Sequence, residues 1–132
     1  MSAGGVLVAG VAAALRAHRP LVELAVFDAP PVRAGLPHAE VGEPVLADWS
    51  GATWTGREGR IAVSLIDGGE RPVRLRALVG EVEECLEAMP PALAEGWRLV
   101  RLALVRSRLV RGGGDRWAAQ VEFQVRMCRA NG

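Results

Sequence analysis

Residues 97–128 read WRLVRLALVRSRLVRGGGDRWAAQVEFQVRMC and predict a long β-hairpin. The glycines at 112–114 separate two strands, 97–110 and 116–128, and permit the positive φ angles of a tight turn. In the second strand apolar residues alternate with polar ones, so one face is expected to be buried and the other wet. The stretch therefore predicts an antiparallel sheet.

The far end of this hairpin is predicted to leave the core. Strands of about 12 residues reach nearly 40 Å at roughly 3.3 Å per residue, whereas a compact chain of this size has a diameter of about 36 Å. Leu102 and Leu104 share one face of the first strand. By strict alternation the same face continues as Arg106 and Arg108, so the hairpin should leave the core near Val105.

The tip is accordingly predicted to be a basic arm. Arg111 and Arg116 lie beside the turn and extend the basic character of Arg106 and Arg108. Two interpretations stay open. The arm is either a solvated hairpin end or a contact for an acidic neighbour or for DNA phosphates.

Two amphipathic helices are predicted upstream of the hairpin. The first ends at Pro20, because proline cannot continue the helical hydrogen-bond ladder. The second follows the 3.6-residue period and stops at Pro90-Pro91. The stripe residues are Leu7, Val11, Leu15 and His18 in the first helix, and Leu75, Leu78, Val79, Val82, Leu86 and Met89 in the second.

Three further strands complete the predicted sheet. A short strand is expected at 22–27, and a second at 38–47 is broken by Pro44, which favours an edge position or a bulge. A third, at 61–66, is apolar enough to lie centrally. The predicted fold class is α+β: a single domain over residues 1–132, with a mostly antiparallel sheet packed with two helices and a long C-terminal β-hairpin.

Length and composition limit the class of protein. A chain of 132 residues suits one domain that buries about two-thirds of its unfolded surface. The net charge of +1 argues against a dedicated nucleic-acid binder, and two cysteines are too few for a disulfide-stapled secreted module. The longest apolar run, residues 6–15, is shorter than the roughly 20 residues of a membrane span, so no membrane association is expected.

Candidate catalytic residues are few and do not form a convergent set. A small enzyme would have to use Asp28, His38 or Asp48, yet aspartates at loop edges usually cap turns. The chain has no Cys-x-x-Cys, His-Glu-x-x-His or Gly-x-Ser-x-Gly pattern. We therefore expect no catalytic residue, no cofactor and no metal, and keep a small enzyme as the alternative of another class.

Two tryptophans flank a polar loop. Trp49 and Trp54 bracket residues 50–53, and Asp48 precedes them. Aromatic side chains on loops often anchor interfaces, because they contribute a large contact area. The alternative is that one or both rings fold back onto the sheet.

Four short landmarks occur in a fixed order after the first helix and before a strand, the second helix and the final hairpin. They are VFDAPP at 26–31, LPH at 36–38, DWS at 48–50 and GREGR at 56–60. In this order they resemble the tail completion proteins of long-tailed bacteriophages, and the resemblance spans nearly the full chain. Gly59 departs from the family pattern, in which histidine is common at this position.

The resemblance implies a tail terminator of a long-tailed phage, a prophage or a gene transfer agent. Such a structural virion protein forms a ring, typically a hexamer, that caps the tail tube, stops its elongation and joins the tail to the neck. Implied partners are further copies of the chain, the tail tube protein and a neck or stopper protein, while DNA passes through the lumen without specific binding. The protein would be made in the bacterial cytoplasm and reside in the tail-neck region of a virion or phage-like particle.

The residues expected to make subunit or tube contacts lie in the loop 48–55 and the arm 109–117, together with the arginines that lead into the arm. They are Asp48, Trp49, Ser50 and Trp54, and Arg106, Arg108, Arg111 and Arg116. A head-tail stopper or adaptor of the same neck assembly is the alternative function.

Overall fold

Two helices pack on one face of a six-stranded sheet in the computed structural model, which describes residues 1–131. The helices are α1 (Ala3–Ala17) and α2 (Val73–Glu87). The strands are β1 (Ala25–Phe27), β2 (His38–Val41), β3 (Val45–Asp48), β4 (Trp54–Gly68), β5 (Arg98–Arg111) and β6 (Arg116–Ala130). They follow the order β1-β2-β4-β6-β5, and β3 pairs with β4 beside β2. Only the β1–β2 pair is parallel among these strands, so the predicted α+β class, the mostly antiparallel sheet and the C-terminal hairpin are confirmed.

Strands β4 and β6 form the centre of the sheet. Each has 15 residues, and the two pair along their whole length. Every second side chain is buried beneath the helices over residues 61–67 and 119–127, and Val63, Val121 and Phe123 have 0% exposure. Removal of this apolar surface from water is the main stabilising contribution to the fold.

Polar contacts hold the two helices together. Ser2 caps α1 by accepting a backbone N–H hydrogen bond of 3.0 Å. His18, at the C-cap of α1, lies 2.9 Å from Glu81 of α2 through its Nε2 atom. The Cys85 thiol of α2 donates to the carbonyl oxygen of Ala14 at 3.4 Å, and burial, with the nearby charge of Glu81, raises the pKa of that thiol. Neither described helix is long and apolar enough to cross a membrane.

Prolines shorten one predicted strand and split another. Residues 19–21 form a 3₁₀ turn that contains Pro20, so β1 begins at Ala25 and not at residue 22. Pro44 separates β2 from β3, because proline lacks the N–H of a ladder hydrogen bond. Strand β3 pairs with β4 alone, so the predicted edge position is confirmed.

The predicted face of β5 is wrong beyond Leu104, because the strand contains two bulges. Its register with β6 shifts at Val100 and at Val105, each of which is one extra residue. Beyond the second bulge, Arg106 and Arg108 lie opposite residues on the wet side of β6. Leu104 instead packs against the core. The basic residues therefore do not continue the apolar face.

The hairpin also stays within the sheet to its tip, contrary to prediction. Strand β4 pairs with β6 as far as Gly68, which lies opposite Arg116. Leu109 packs against the core, and the Gly69 N–H donates to the carbonyl oxygen of Asp115 at 2.8 Å. Strand β6 is therefore held between β4 and β5 and does not project as a separate arm.

Candidate functional site

The turn between β3 and β4 is a packed hairpin, termed here the Trp hairpin (residues 48–56). The rings of Trp49 and Trp54 meet edge to face with their centroids 5.0 Å apart. Ser50 Oγ donates to Asp48 Oδ1 at 2.6 Å and accepts the Gly56 N–H at 3.1 Å. Four predicted interface residues are thus brought together, although Trp54 is the first residue of β4 and not a loop residue.

Two glycines make this packing possible. A Cβ atom on Gly51 would lie 2.3 Å from Nε1 of Trp54, and one on Gly56 would lie 2.4 Å from the carbonyl oxygen of Trp49. Both separations are too short for non-bonded atoms. The Trp hairpin therefore requires glycine at these two positions, since any other residue would displace a tryptophan.

Charged groups attach the Trp hairpin to the sheet. The Arg126 guanidinium lies 5.0 Å from the centroid of the Trp49 ring, and its Nε donates to Glu58 Oε2 at 3.0 Å. Such a cation–π contact contributes roughly 0.5–1 kcal/mol at an exposed site. Asp48 also pairs with Arg57 at 3.3 Å. The tryptophans remain partly exposed, so they can contact another surface.

The face of the sheet that points away from the helices is covered by no helix or strand of the described residues, although residues 30–34 border it near the hairpin tip, and it is termed here the open face. Residues directly opposite each other on neighbouring strands share a face, which assigns side chains of β2, β4, β5 and β6 to it. Seven arginines and three glutamates give it a net charge of +4. They are Arg60, Arg98, Arg101, Arg106, Arg108, Arg116 and Arg126, and Glu40, Glu58 and Glu122.

Three of these seven arginines pair with a glutamate within the described residues, one with Glu58 and two with Glu122. Glu122 Oε1 accepts from Arg60 at 2.9 Å and lies 3.4 Å from Nε of Arg106, so one carboxylate serves two cations. Arg101 contacts the neutral Gln124, at 3.1 Å. Exposed ion pairs contribute about 0–1 kcal/mol each. The open face therefore keeps a positive potential.

The arginines at the hairpin tip lie on opposite faces. Arg111 lies over the Trp117 ring at 5.5 Å from its centroid, on the helix side, whereas Arg116 lies on the open face. Trp117 Nε1 donates to the Gly69 carbonyl oxygen at 3.1 Å. A cavity of about 540 Å³ lies between residues 30–34 and the glycine turn. The Trp117–Gly69 hydrogen bond therefore ties the tip to the end of β4, and the cavity lies beside the tip.

The predicted interface residues form two separate groups. Strand β4 begins at Trp54 and ends at Gly68, which lies opposite Arg116. The 15 residues of β4 extend over roughly 45 Å at about 3.3 Å per residue. The Trp hairpin and the hairpin tip consequently lie at opposite ends of the sheet, with Arg106 and Arg108 between them on β5.

The structure does not bring the candidate enzyme residues together. Asp48 lies opposite Arg57 in β4. His38 lies opposite Ile66 of β4, which is nine residues beyond Arg57 and about 30 Å from it. Asp28 follows β1 at an exposed position. Within residues 1–131, no group of three or more His, Cys, Asp or Glu side chains is arranged to hold a metal ion.

Asp67 is the one buried charged side chain in the described part of the chain, with 3% exposure. Arg74 donates to its two oxygens at 2.8 and 2.5 Å, and the Gly68 N–H donates at 2.8 Å. The Arg74 hydrogen bonds lower the pKa of Asp67 despite the opposing effect of burial, and they raise the pKa of Arg74. This pair joins the end of β4 to the start of α2.

Four arginines of the open face were not among the predicted site residues. Arg98 and Arg101 are three residues apart, which places them on opposite faces of a regular strand, and only the bulge at Val100 brings them together. The predicted alternation of the last strand already placed Arg126 on the wet face, so its exposure could be found from the sequence. Nothing in the sequence indicated the exposure of Arg60 on this face, because the strand was predicted to begin at residue 61 and not at Trp54.

Comparison with known proteins gives the family. The family model described as tail completion protein gp17 matches residues 8–128. A chain in the virion of a native gene transfer agent (GTA) particle is 28% identical with a TM-score of 0.82, and the match covers 96% of this chain and 98% of that chain. No curated protein matches the sequence. The chain belongs to the tail completion protein gp17 family and is a structural protein of a phage-like tail.

Proposed function

We propose that this protein is a tail terminator, which forms a ring of six copies on the end of the tail tube. The ring stops elongation of the tube and offers a surface to which the neck protein docks. The observation that carries the proposal is the match of a tail completion family over residues 8–128. The similarity to a GTA virion chain over 96% of this chain supports a role inside an assembled particle.

The architecture favours a mechanism based on assembly. The helices cover one face of the sheet, and the open face and the edge strand β5 remain uncovered in the single chain. Contacts of one subunit with a different surface of the next form a closed ring when the rotation between them divides the circle. The lumen of such a ring allows DNA to pass without base-specific contacts.

We assign the subunit and tube contacts to the Trp hairpin and to residues 109–117 at the hairpin tip. These surfaces lie roughly 45 Å apart along β4, so one subunit can contact two neighbours at once. The partly exposed Trp49 and Trp54 supply the aromatic anchor of the first surface. Arg111 and Arg116 supply charges at the second.

The test is complementation of a host in which the gene is deleted. Particles made with the wild-type protein, with Trp54→Ala and with Leu78→Ala are imaged by negative stain. Leu78 is the matched control, because it is also partly buried and packs against the core from the N-terminal half of α2, outside the Trp hairpin, the hairpin tip and the open face. We expect Trp54→Ala to fail to rescue while Leu78→Ala rescues, with both purified variants folded by circular dichroism.

The phenotype of the deletion separates the possible functions. Tails of uncontrolled length, or finished tails detached from heads, support the terminator. DNA-leaking heads beside tails of normal length indicate a head-tail stopper instead. Normal particles contradict any role in tail assembly.

A further inference from the structure

We propose that the open face binds the C-terminal half of α2 in a second copy of this chain. The inference rests on the proposed ring and adds a further pair of contacting surfaces to the Trp hairpin and the hairpin tip. It joins two different surfaces, which lie on opposite layers of the molecule. The contact is therefore head-to-tail, the type that builds rings.

Charge is distributed unevenly between the two layers. The open face carries +4, although the whole chain carries +1. The remainder of the molecule consequently has a net charge of −3. The positive surface of one copy attracts the negative surface of another copy. Two copies of the same surface carry the same charge and repel each other.

The C-terminal half of α2 is the acidic counterpart. It carries Glu81, Glu83, Glu84 and Glu87. Its last turn has no basic residue, although the negative end of a helix dipole favours cations there. This arrangement is unfavourable in the isolated chain, and the guanidinium groups of a second copy would relieve it.

Two of these carboxylates have partners inside the chain and two point outward. Glu81 pairs with His18, and Glu83 accepts a hydrogen bond from Ser107. Glu84 and Glu87 are exposed, on the side of α2 that faces away from the sheet. These two are the carboxylates that a neighbouring subunit can reach.

A second copy fits the open face better than DNA does. Among the arginines lie small or apolar side chains, including Ala103, Ala118 and Val110, which is 47% exposed. DNA phosphates would contact the arginines and make no use of the apolar side chains between them. A protein surface can use both the arginines and the apolar area between them, as protein interfaces do.

The test is reciprocal charge reversal on the purified chain. Arg101→Glu/Arg108→Glu changes the open face, and Glu84→Arg/Glu87→Arg changes α2. Arg19→Glu/Arg33→Glu and Glu23→Arg/Glu43→Arg are matched controls, because these residues are exposed elsewhere and the charge changes are the same. Sedimentation equilibrium over a concentration series at low salt measures self-association, and anisotropy of a labelled 30-base-pair duplex measures DNA binding.

We expect each reversed pair to weaken self-association by about tenfold or more, and an equimolar mixture of the two variants to restore it. The α2 variant should not lower the melting temperature, because arginine suits the end of a helix. If the variants failed to associate because they were misfolded, mixing them would not restore self-association. Both control variants should associate like the wild type.

Four results would overturn the inference. They are a wild-type chain that stays monomeric throughout the series, reversed variants that associate normally, a mixture that fails to associate, and duplex binding that the arginine variant loses while self-association is unchanged. The last result would assign the open face to DNA. The tail phenotype of the deletion is independent of all four, so uncontrolled tail length together with any of them leaves the terminator standing without this interface.

Discussion

Asp67 shows how a single buried carboxylate ties two elements together. It closes the connection from β4 to α2 through Arg74 and the Gly68 N–H. Its pKa lies below the value of about 3.9 expected in the unfolded chain. The ion pair therefore stabilises the fold above about pH 4, and this contribution is lost as the pH falls through the folded pKa.

Asp67→Asn should consequently lower the free energy of unfolding near neutral pH by about 2 kcal/mol, because a charged hydrogen-bonded group is removed. Between neutral pH and about pH 3 the wild type should lose stability more steeply than this variant. Urea unfolding at several pH values measures both effects. Asp115→Asn is the control, since Asp115 is exposed at the hairpin tip. Parallel pH profiles for the wild type and Asp67→Asn would contradict the role of the pair.

Gly59 allows β3 to approach β4 closely. It lies opposite Leu46 where β3 pairs with β4, and a Cβ atom there would be 1.8 Å from the carbonyl oxygen of Val45. A residue with a side chain, such as the histidine that the family resemblance implies here, cannot fit at this backbone separation.

At the scale of elements, bulges in β5 decide which surface becomes basic. Strict alternation predicts Arg106 and Arg108 beside the core leucines, whereas the extra residue Val105 turns them to the open face. The apolar pattern does not reveal a bulge. One added apolar residue leaves the strand apolar, but it moves every later side chain to the other face. The strand was predictable, and its faces were not.

Deletion of Val105 should therefore be tolerated, because the pairs on either side of the bulge keep their partners and Arg106 stays opposite Glu122. Deletion of Ser107 shortens β5 equally, but it moves Arg106 into the half-buried place of Ser107 and removes the contact with Glu83. We expect a loss of less than about 1 kcal/mol for the first and about 1–3 kcal/mol for the second. Chemical unfolding compares them. Equal losses would show that the bulge itself stabilises the fold.

At the scale of the whole molecule, most of the fold could be predicted and the assembly surface only partly. The helices and the final hairpin follow from periodicity and from Pro20, Pro90 and the glycine turn. The first half of β4 escaped prediction because its residues 54–60 are largely polar. Partly solvated strands of this kind have no apolar alternation to reveal them. The open face depends on these residues and on bulges, so it required the structure.

One contiguous core joins both helices to the sheet. Its buried residues run without a break from α1 through the sheet to α2, and β4 and β6 pair along their whole length. Neither helix can bury its apolar stripe without the sheet, and the His18–Glu81 and Cys85–Ala14 contacts link the helices directly. No part of the described chain has a core of its own.

Unfolding should therefore occur in one transition, with a heat-capacity change of about 1.6–2.0 kcal/mol/K for 132 residues. Far-ultraviolet circular dichroism follows the backbone, and fluorescence follows tryptophans that range from the buried Trp97 to the partly exposed Trp49 and Trp54. Coincident curves from the two probes in dilute protein are the expected result, because each tryptophan contacts strands of the same sheet. An earlier fluorescence transition would show that the Trp hairpin opens separately. That outcome would make it an adaptable contact, and not a rigid anchor, for the neighbouring subunit.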